Sequence, residues 1–490
     1  MVMLPEGKLY IDGKLRAAER GAKYEDIGPW TGEIVAYAAD ASVADMEEAI
    51  AAARRAFDKS DWSTNHALRR ERVAKLGERL RANRERIAQI VQHEGGGAKA
   101  AMAGPLVDLP LEAFEPLLKM FDGFEWETPM GRAVSMGANS ERLILREPAG
   151  VVGAITPWNM PLFIGVGKVI PALLAGCTVI LKAAPETPLI NALLGELAHE
   201  AGFPAGVFNV ITSSAPATLG EMLVTDKRVD LISFTGSTAV GRRIMEKGAA
   251  TLKRVFLELG GKSANIVLDD TPDFAMAVAY SIVCFHAGQG CAIPTRLLVP
   301  RSRYEEAIAV LEGTYGVYSG MWGDPDEPSN VMGPLISARQ RDRVLNYIEI
   351  GKAEGARLLA GGKVATSKGG GFFIEPTCFV DVRNDMRIAR EEIFGPVLVV
   401  IPFEDDDDAV RIANDSEYGL SGGVCAGSRE RAMRVARRIR TGTVGVNGGL
   451  WLAPDMPFGG YKQSGVGREW GMQGFEEYLE TKAIGIGVEE

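Results

Sequence analysis

Cys291 sits in the stretch HAGQGCAIPTR, His286 to Arg296, with Gly288 and Gly290 before it and an apolar setting unlike ordinary surface. A thiolate is the strongest side-chain nucleophile near neutral pH, and Gly290 before it lets a substrate carbonyl and the backbone approach closely. Free cysteines are nevertheless often inert core residues. The reading therefore turns on what else the chain can place beside this thiol. Glu258 in LELGG offers a proton acceptor, and Asn159 in TPWN offers an amide donor for a developing oxyanion. Each has a plainer alternative, Glu258 as a buried ion-pair partner and Asn159 as a helix cap.

The chain has 490 residues, 46% hydrophobic and 24% charged, enough apolar material for about two or three packed domains. Its formal net charge of -10 argues against nucleic-acid binding, which needs a basic surface. The Arg-rich run from Arg429 to Arg440 carries Ala432, Val435, Ala436 and Ile439 at helical spacing, the pattern of a solvated helix with one buried stripe. The five cysteines form no CxxC pair, and there are only four histidines, so neither a disulfide framework nor a metal site is expected. MVMLPEGKLYIDGK has no signal-peptide pattern, and no apolar run has spanning length. The expectation is a cytoplasmic protein without a membrane segment.

Ser42 and Asp45 form a capping-box pattern ahead of a helix bearing Val43, Met46, Ile50 and Phe57. A single longer helix is expected next, with Val73, Leu76, Leu80, Ile87 and Val91 on one face, until GGG at 95–97 breaks it. RAVSM and ERLILRE, joined by GANS, read as a hairpin inserted between helical regions. From Pro148 to Gly261, short apolar runs alternate with helices: VVGAI, TVILK, VFNVI, LISFTG and VFLELGG. Strands buried on both faces and separated by helices specify a parallel, doubly wound α/β sheet.

Such sheets bind ligands beyond the carboxyl ends of their strands, where TPWN, LKAAPE and FTGSTAVG fall. In the last of these, backbone N–H groups and the hydroxyls of Thr235, Ser237 and Thr238 can meet a pyrophosphate at a helix N-terminus. Arg242 stands where a P-loop would carry lysine, so nucleotide hydrolysis is not supported, and there is no GxGxxG. Taken alone, GSTAVG is as readily a structural turn, and Lys182 as readily a snorkelling surface lysine.

Together these segments carry a resemblance. TPWN, LKAAPETP, FTGS, LELGGKS, GQGC, EEIFGP (from Glu391) and PFGGYKQSG (from Pro457) occur in the order seen in aldehyde dehydrogenases, across almost the whole chain. The resemblance implies NAD(P)-dependent, hydrolytic oxidation of an aldehyde, with Cys291 as nucleophile, Glu258 as general base and Asn159 as oxyanion donor. Lys182 would hold the adenosine ribose and Ser237 the pyrophosphate. Ile155 and Trp158 would line the cofactor, with Pro157, Phe234, Gly236 and Gly260 around them, and Glu392 and Phe394 would position the nicotinamide end. Many NAD-preferring members carry glutamate three residues after the lysine, a carboxylate that repels a 2'-phosphate; here Pro185 stands there, with Glu186 next, which weakens that exclusion, so NAD is still expected but NADP stays open.

By the same resemblance the aldehyde tunnel falls on Met160, Ile164, Gly167, Phe285, Leu450, Trp451, Leu452 and Phe458, a nearly uncharged set. Met160 and especially Gly167 stand where bulkier aromatics are common, so a roomy apolar tunnel for medium-chain, terpenoid or aromatic aldehydes is expected. A semialdehyde carrying a carboxylate would call for an Arg or Lys that this set lacks. Glu258 argues against a CoA-acylating enzyme, and the intact Cys291, Glu258 and Asn159 argue against a non-catalytic member of the fold. The expected layout is a cofactor domain at 1–124 and 148–256, a catalytic α/β domain at 257–469, and a bridging β element at 125–147 and 470–490. The resemblance implies a homodimer or homotetramer, with the hairpin edge covered by a partner.

Overall fold

In a computed structural model describing residues 3–365 and 370–488, the five expected central strands form. Val151–Ile155, Thr178–Lys182, Phe208–Ile211 and Leu231–Thr235 are buried at every residue, as apolar runs without alternation require. With Arg254–Glu258 they make the parallel centre of an eight-stranded sheet. Leu9–Ile11 and Lys14–Arg16 extend one edge antiparallel, and Gly465–Val466 closes the other against Arg254–Glu258. Helix Pro161–Ala175 is wholly buried and apolar but for Lys168.

The capping box forms as expected: the Ser42 hydroxyl accepts from the Asp45 N–H, and the Asp45 carboxylate accepts from the Ser42 N–H at the head of Val43–Lys59. The single helix expected over Val73 to Val91 is instead two, His66–Ala82 and Arg84–Gly95. Asn83 breaks it, its amide donating back to the Arg79 carbonyl at 2.8 Å while its backbone leaves helical geometry. The hairpin pairs Glu127–Ser135 with Ala138–Pro148 around a turn at Met136 and Gly137, so most of GANS is already strand. Leu479–Gly487 adds a third strand to it.

Glu258 ends the last parallel strand of the first sheet, and six residues later Ala264–Val267 begins inside a second, seven-stranded sheet. In that sheet Ala264–Val267, Arg296–Pro300, Val397–Phe403, Thr377–Val380, Gly422–Cys425 and Gly445–Val446 run parallel, and Arg357–Ala360 is antiparallel at the edge. Cys291, and Glu392 with Phe394, lie just before its strands Arg296–Pro300 and Val397–Phe403. Carboxyl ends of the first sheet thus meet amino ends of the second. The Arg-rich helix Arg429–Ala436 buries Ala432, Val435 and Ala436 as its pattern demands. Among the described residues no helix is long and apolar enough to cross a membrane.

Candidate active site

From Val151–Ile155 the chain winds outward first through Thr178–Lys182 and Phe208–Ile211, then on the other side through Leu231–Thr235 and Arg254–Glu258. The crevice between Ile155 and Thr235 is therefore the point where strand order reverses, the usual ligand position in open parallel sheets. A cavity of about 660 Å³ opens there, walled by Ile155, Pro157, Trp158, Lys182, Phe234, Gly236 and Ser237 among others. Ser237 caps helix Thr238–Gly248, leaving that helix's first N–H groups at the cavity wall. Lys182 is no surface lysine: it is 3% exposed, its Nζ donates to the Ala183 carbonyl at 3.0 Å, and burial lowers its pKa to about 8. Glu186, one residue beyond Pro185, lines the same cavity and pairs with Arg339 at 2.9 Å.

A second cavity of about 210 Å³ shares Pro157, Trp158, Thr235, Gly236 and Ser237 with the first and continues inward to Asn159, Glu258, Gly260, Cys291, Glu392 and Phe394. Trp158 and Phe394 meet edge to face at 5.3 Å across it. The Glu392 carboxylate accepts from the Gly261 N–H at 2.9 Å. A Cβ on Gly260 would lie 2.6 Å from that carboxylate, so only glycine lets it approach. Phe394 holds a left-handed φ of 60°, and its carbonyl accepts from the Gln340 amide at 2.7 Å.

Cys291 follows three consecutive left-handed residues, His286, Ala287 and Gly288, at φ 46°, 52° and 72°. Two of these carry side chains, so the loop is held in a conformation that costs energy and must be imposed by its surroundings. Gln289 supplies much of that hold. Fully buried, its amide donates to the carbonyls of His286 at 3.0 Å and Pro334 at 3.3 Å and accepts from the Ile336 N–H at 2.9 Å. The Gln289 backbone carbonyl in turn accepts from the Asn159 side-chain amide at 2.9 Å. Asn159 is thus not the cap of the next helix, a position taken by Met160. Nδ2 carries two hydrogens, and one remains for the cavity.

Glu258 is 1% exposed, and its Oε1 has no hydrogen-bond partner among the described residues. The Cys291 thiol and this carboxyl line the same inner cavity, close enough for each to act on the other's charge. Burial, reinforced by the nearby Glu469 carboxylate, pushes the Glu258 pKa up to about 8. Burial and then the Glu258 charge push the Cys291 thiol well above its ordinary range. At neutral pH both groups therefore hold protons in the resting site, and one ionisation at Glu258 arms the pair. The other four cysteines line neither cavity: Cys177, Cys284 and Cys378 are buried, Cys425 is half-buried, and burial raises their thiols as it does that of Cys291.

On the far side of Cys291, Ile164, Phe458, Met160, Trp451 and Leu452 pack into one apolar cluster with it. Trp451 and Phe458 stack face to face at 5.4 Å. Phe285 is 36% exposed and Leu450 is 96% exposed, so Leu450 stands at the surface and is not enclosed by this chain. The room expected at Gly167 is taken: a Cβ there would lie 2.8 Å from the ring of Trp470.

Against proteins of known family, residues 16–484 match the aldehyde dehydrogenase family model. The chain belongs to the aldehyde dehydrogenase family. Among its relatives, the 3-succinoylsemialdehyde-pyridine dehydrogenase of a Pseudomonas species is 42% identical, over 97% of this chain and 98% of its own. The geranial dehydrogenase of Castellaniella defragrans is 39% identical over 97% of this chain and 98% of its own. A solved mutant of aldehyde dehydrogenase C from Pseudomonas syringae, in complex with NAD+ and octanal, superposes with a TM-score of 0.91 at 42% identity, covering 98% of this chain and 96% of that one.

Within this aldehyde dehydrogenase, the sequence-named residues around the two cavities come together, but several side chains that position them were not foreseen. Gln289 is one, although a polar residue between two glycines in an apolar stretch was a usable signal. Arg343 and Gln340, which line the inner cavity from helix Ala338–Ala353, left no local signal. Neither did the buried ion pair of Lys168 with Glu469, which lies close enough to act on the charge of Glu258.

Proposed function

We propose that the protein oxidises an apolar aldehyde to its carboxylic acid with NAD+, through a covalent adduct on Cys291. The observation that carries this reading is the Cys291 thiol in one cavity with the Glu258 carboxyl, at the inner end of a cleft shaped for a dinucleotide. The cleft fits that cofactor in its donors: a buried lysine, a capped helix N-terminus and two facing aromatic rings. Lys182 and Ser237 would hold its adenosine and pyrophosphate parts, and Trp158, Glu392 and Phe394 its nicotinamide part. When bound, it supplies the hydride acceptor.

Ionised Glu258 takes the thiol proton, and Sγ attacks the aldehyde carbon, forming an S–C bond as the carbonyl π pair moves onto oxygen. The free N–H of Asn159 and the Cys291 backbone N–H stabilise that oxyanion. Re-forming the carbonyl expels the hydride and leaves a thioester on Cys291. After releasing the thiol proton to solvent, Glu258 takes a proton from water, the hydroxyl adds to the thioester carbon, and the C–S bond breaks to return the thiolate with the acid.

The apolar side chains of Met160, Ile164, Trp451, Leu452 and Phe458, packed in one cluster with Cys291, support an apolar substrate, of which medium-chain, terpenoid and aromatic aldehydes are the candidates. The octanal complex and the geranial dehydrogenase among the similar proteins point the same way. Glu186 in the cofactor cavity supports NAD over NADP, because a carboxylate there repels a 2'-phosphate. A panel of hexanal, benzaldehyde and a short dicarboxylic semialdehyde, assayed with NAD+ and NADP+ in parallel, tests both points. Higher kcat/KM for the semialdehyde would overturn the apolar reading, and a preference for NADP+ would overturn the role of Glu186.

The same reading divides the chain into a cofactor domain at 1–124 and 148–256, a catalytic domain at 257–469, and a bridging element at 125–147 and 470–490, the last two residues of which lie outside the described structure. Val134 and Ile486 on the three-stranded sheet and Met136 at its hairpin turn are exposed, which supports covering by a second copy in a dimer or tetramer. Light scattering on a purified sample reads the assembly directly; a monomer would overturn this part.

A further inference from the structure

Met160, Phe163, Ile164 and Gly167 recur at the spacing of one helix face at the start of Pro161–Ala175. Glycine inside a buried helix weakens it and needs a structural reason. The reason is 303 residues away in the chain. A Cβ on Gly167 would lie 2.8 Å from Cε2 and Cζ2 of Trp470 and 3.1 Å from its Nε1, so the indole lies directly against the glycine backbone.

Everything around Trp470 holds it there. Its ring stacks on Phe163 at 4.8 Å and 30°, on the same helix. Its neighbour Glu469 is ion-paired with buried Lys168, next to Gly167. Glu469 also exchanges both backbone hydrogen bonds with Phe458, at 2.7 and 2.6 Å, and Phe458 stacks on Trp451. Trp470 itself has φ 59°, an unfavourable conformation for a bulky residue and one that persists only when neighbours impose it. The indole Nε1 is buried with no partner among the described residues. The ring is thus fixed inside the apolar cluster that also contains Met160, Ile164, Phe458, Trp451 and Cys291.

We propose that Trp470 is a specificity-determining residue for the aldehyde: it fills the space that Gly167 leaves and narrows the apolar passage to tails that are slim. Unbranched aliphatic aldehydes pass, whereas branched or ring-bearing ones meet the indole. The proposal rests on the aldehyde-oxidising reading and sharpens it, because Gly167 alone suggests a wide tunnel. The bulk has moved from the helix to the facing segment, and the wall stays closed.

The test measures NADH formation with hexanal and with cyclohexanecarbaldehyde for the wild type, Trp470→Ala, Trp470→Phe and the exchange Gly167→Trp with Trp470→Gly. Expected is a rise of roughly tenfold or more in the kcat/KM ratio of the ring-bearing to the straight-chain aldehyde in Trp470→Ala, the scale of hydrophobic pocket discrimination. A smaller rise is expected in Trp470→Phe, which keeps a ring against Phe163 and serves if the alanine variant fails to fold. The exchange variant should return the ratio toward wild type. A ratio within about twofold of wild type in folded Trp470→Ala or, failing that, in Trp470→Phe, with hexanal turnover retained, overturns the proposal. Wild-type enzyme that forms no NADH with either aldehyde overturns the underlying reading, and this proposal with it.

Discussion

The side-chain amide of Asn159 donates to the backbone carbonyl of Gln289 at 2.9 Å, two residues before Cys291. One hydrogen of Nδ2 is thereby fixed to the nucleophile's own loop, and the other is aimed without free rotation. Asn159→Ala is expected to lower kcat by about 10²-fold to 10³-fold, the range for loss of one oxyanion donor, with the Kd for NAD+ nearly unchanged. Stopped-flow kinetics with fluorescence titration of the cofactor checks the split.

Because the Glu258 pKa is pushed up to about 8 and the carboxylate is the competent form, kcat/KM should rise with pH through a limb near 8. The Glu469 carboxylate contributes to that upward shift. Glu469→Gln removes its charge, so the limb should move to lower pH. A pH profile in which the limb stays in place or moves up contradicts this coupling.

The same shift has a stability consequence. An acid whose folded pKa exceeds its unfolded value, here about 8 against 4.5, contributes stability that is full below pH 4.5 and lost as pH rises through 8. Glu258→Gln carries no such linkage. Its melting temperature should match the wild type near pH 4.5 and exceed it at pH 9, and equal melting temperatures at pH 9 would rule this out.

Gln289 spans the carbonyls of His286 and Pro334 and the N–H of Ile336, and so holds three left-handed residues in place before Cys291. Gln289→Ala should cost roughly 10²-fold in kcat through misplacement of the thiol, while KM for NAD+ changes little. Slowed alkylation of Cys291 by iodoacetamide gives a readout independent of turnover; unchanged kcat and alkylation rate would show that the loop holds itself.

Much of this architecture was legible from local pattern. The buried strands are continuous apolar runs, and the Ser42–Asp45 cap forms where its spacing places it. Cys291, Glu258 and Asn159, 132 positions apart at most by number, meet because each sits at a strand end or loop facing the same cleft. What local pattern did not show depends on contacts between distant segments. The Gly465–Val466 strand completes the first sheet from the far end of the chain, and Trp470 occupies the space that Gly167 seemed to leave open. The helix break at Asn83 is different: the apolar spacing runs through it, and a side-chain bond back to Arg79 decides the matter.

The central claim is that Cys291 forms the covalent adduct. Its most direct test is aldehyde-dependent NADH formation by Cys291→Ala, measured on protein whose NAD+ affinity and melting temperature match the wild type. The account predicts a rate at background with hexanal at every pH. A rate within about tenfold of wild type, equivalent to no more than about 1.4 kcal/mol of barrier, would contradict it.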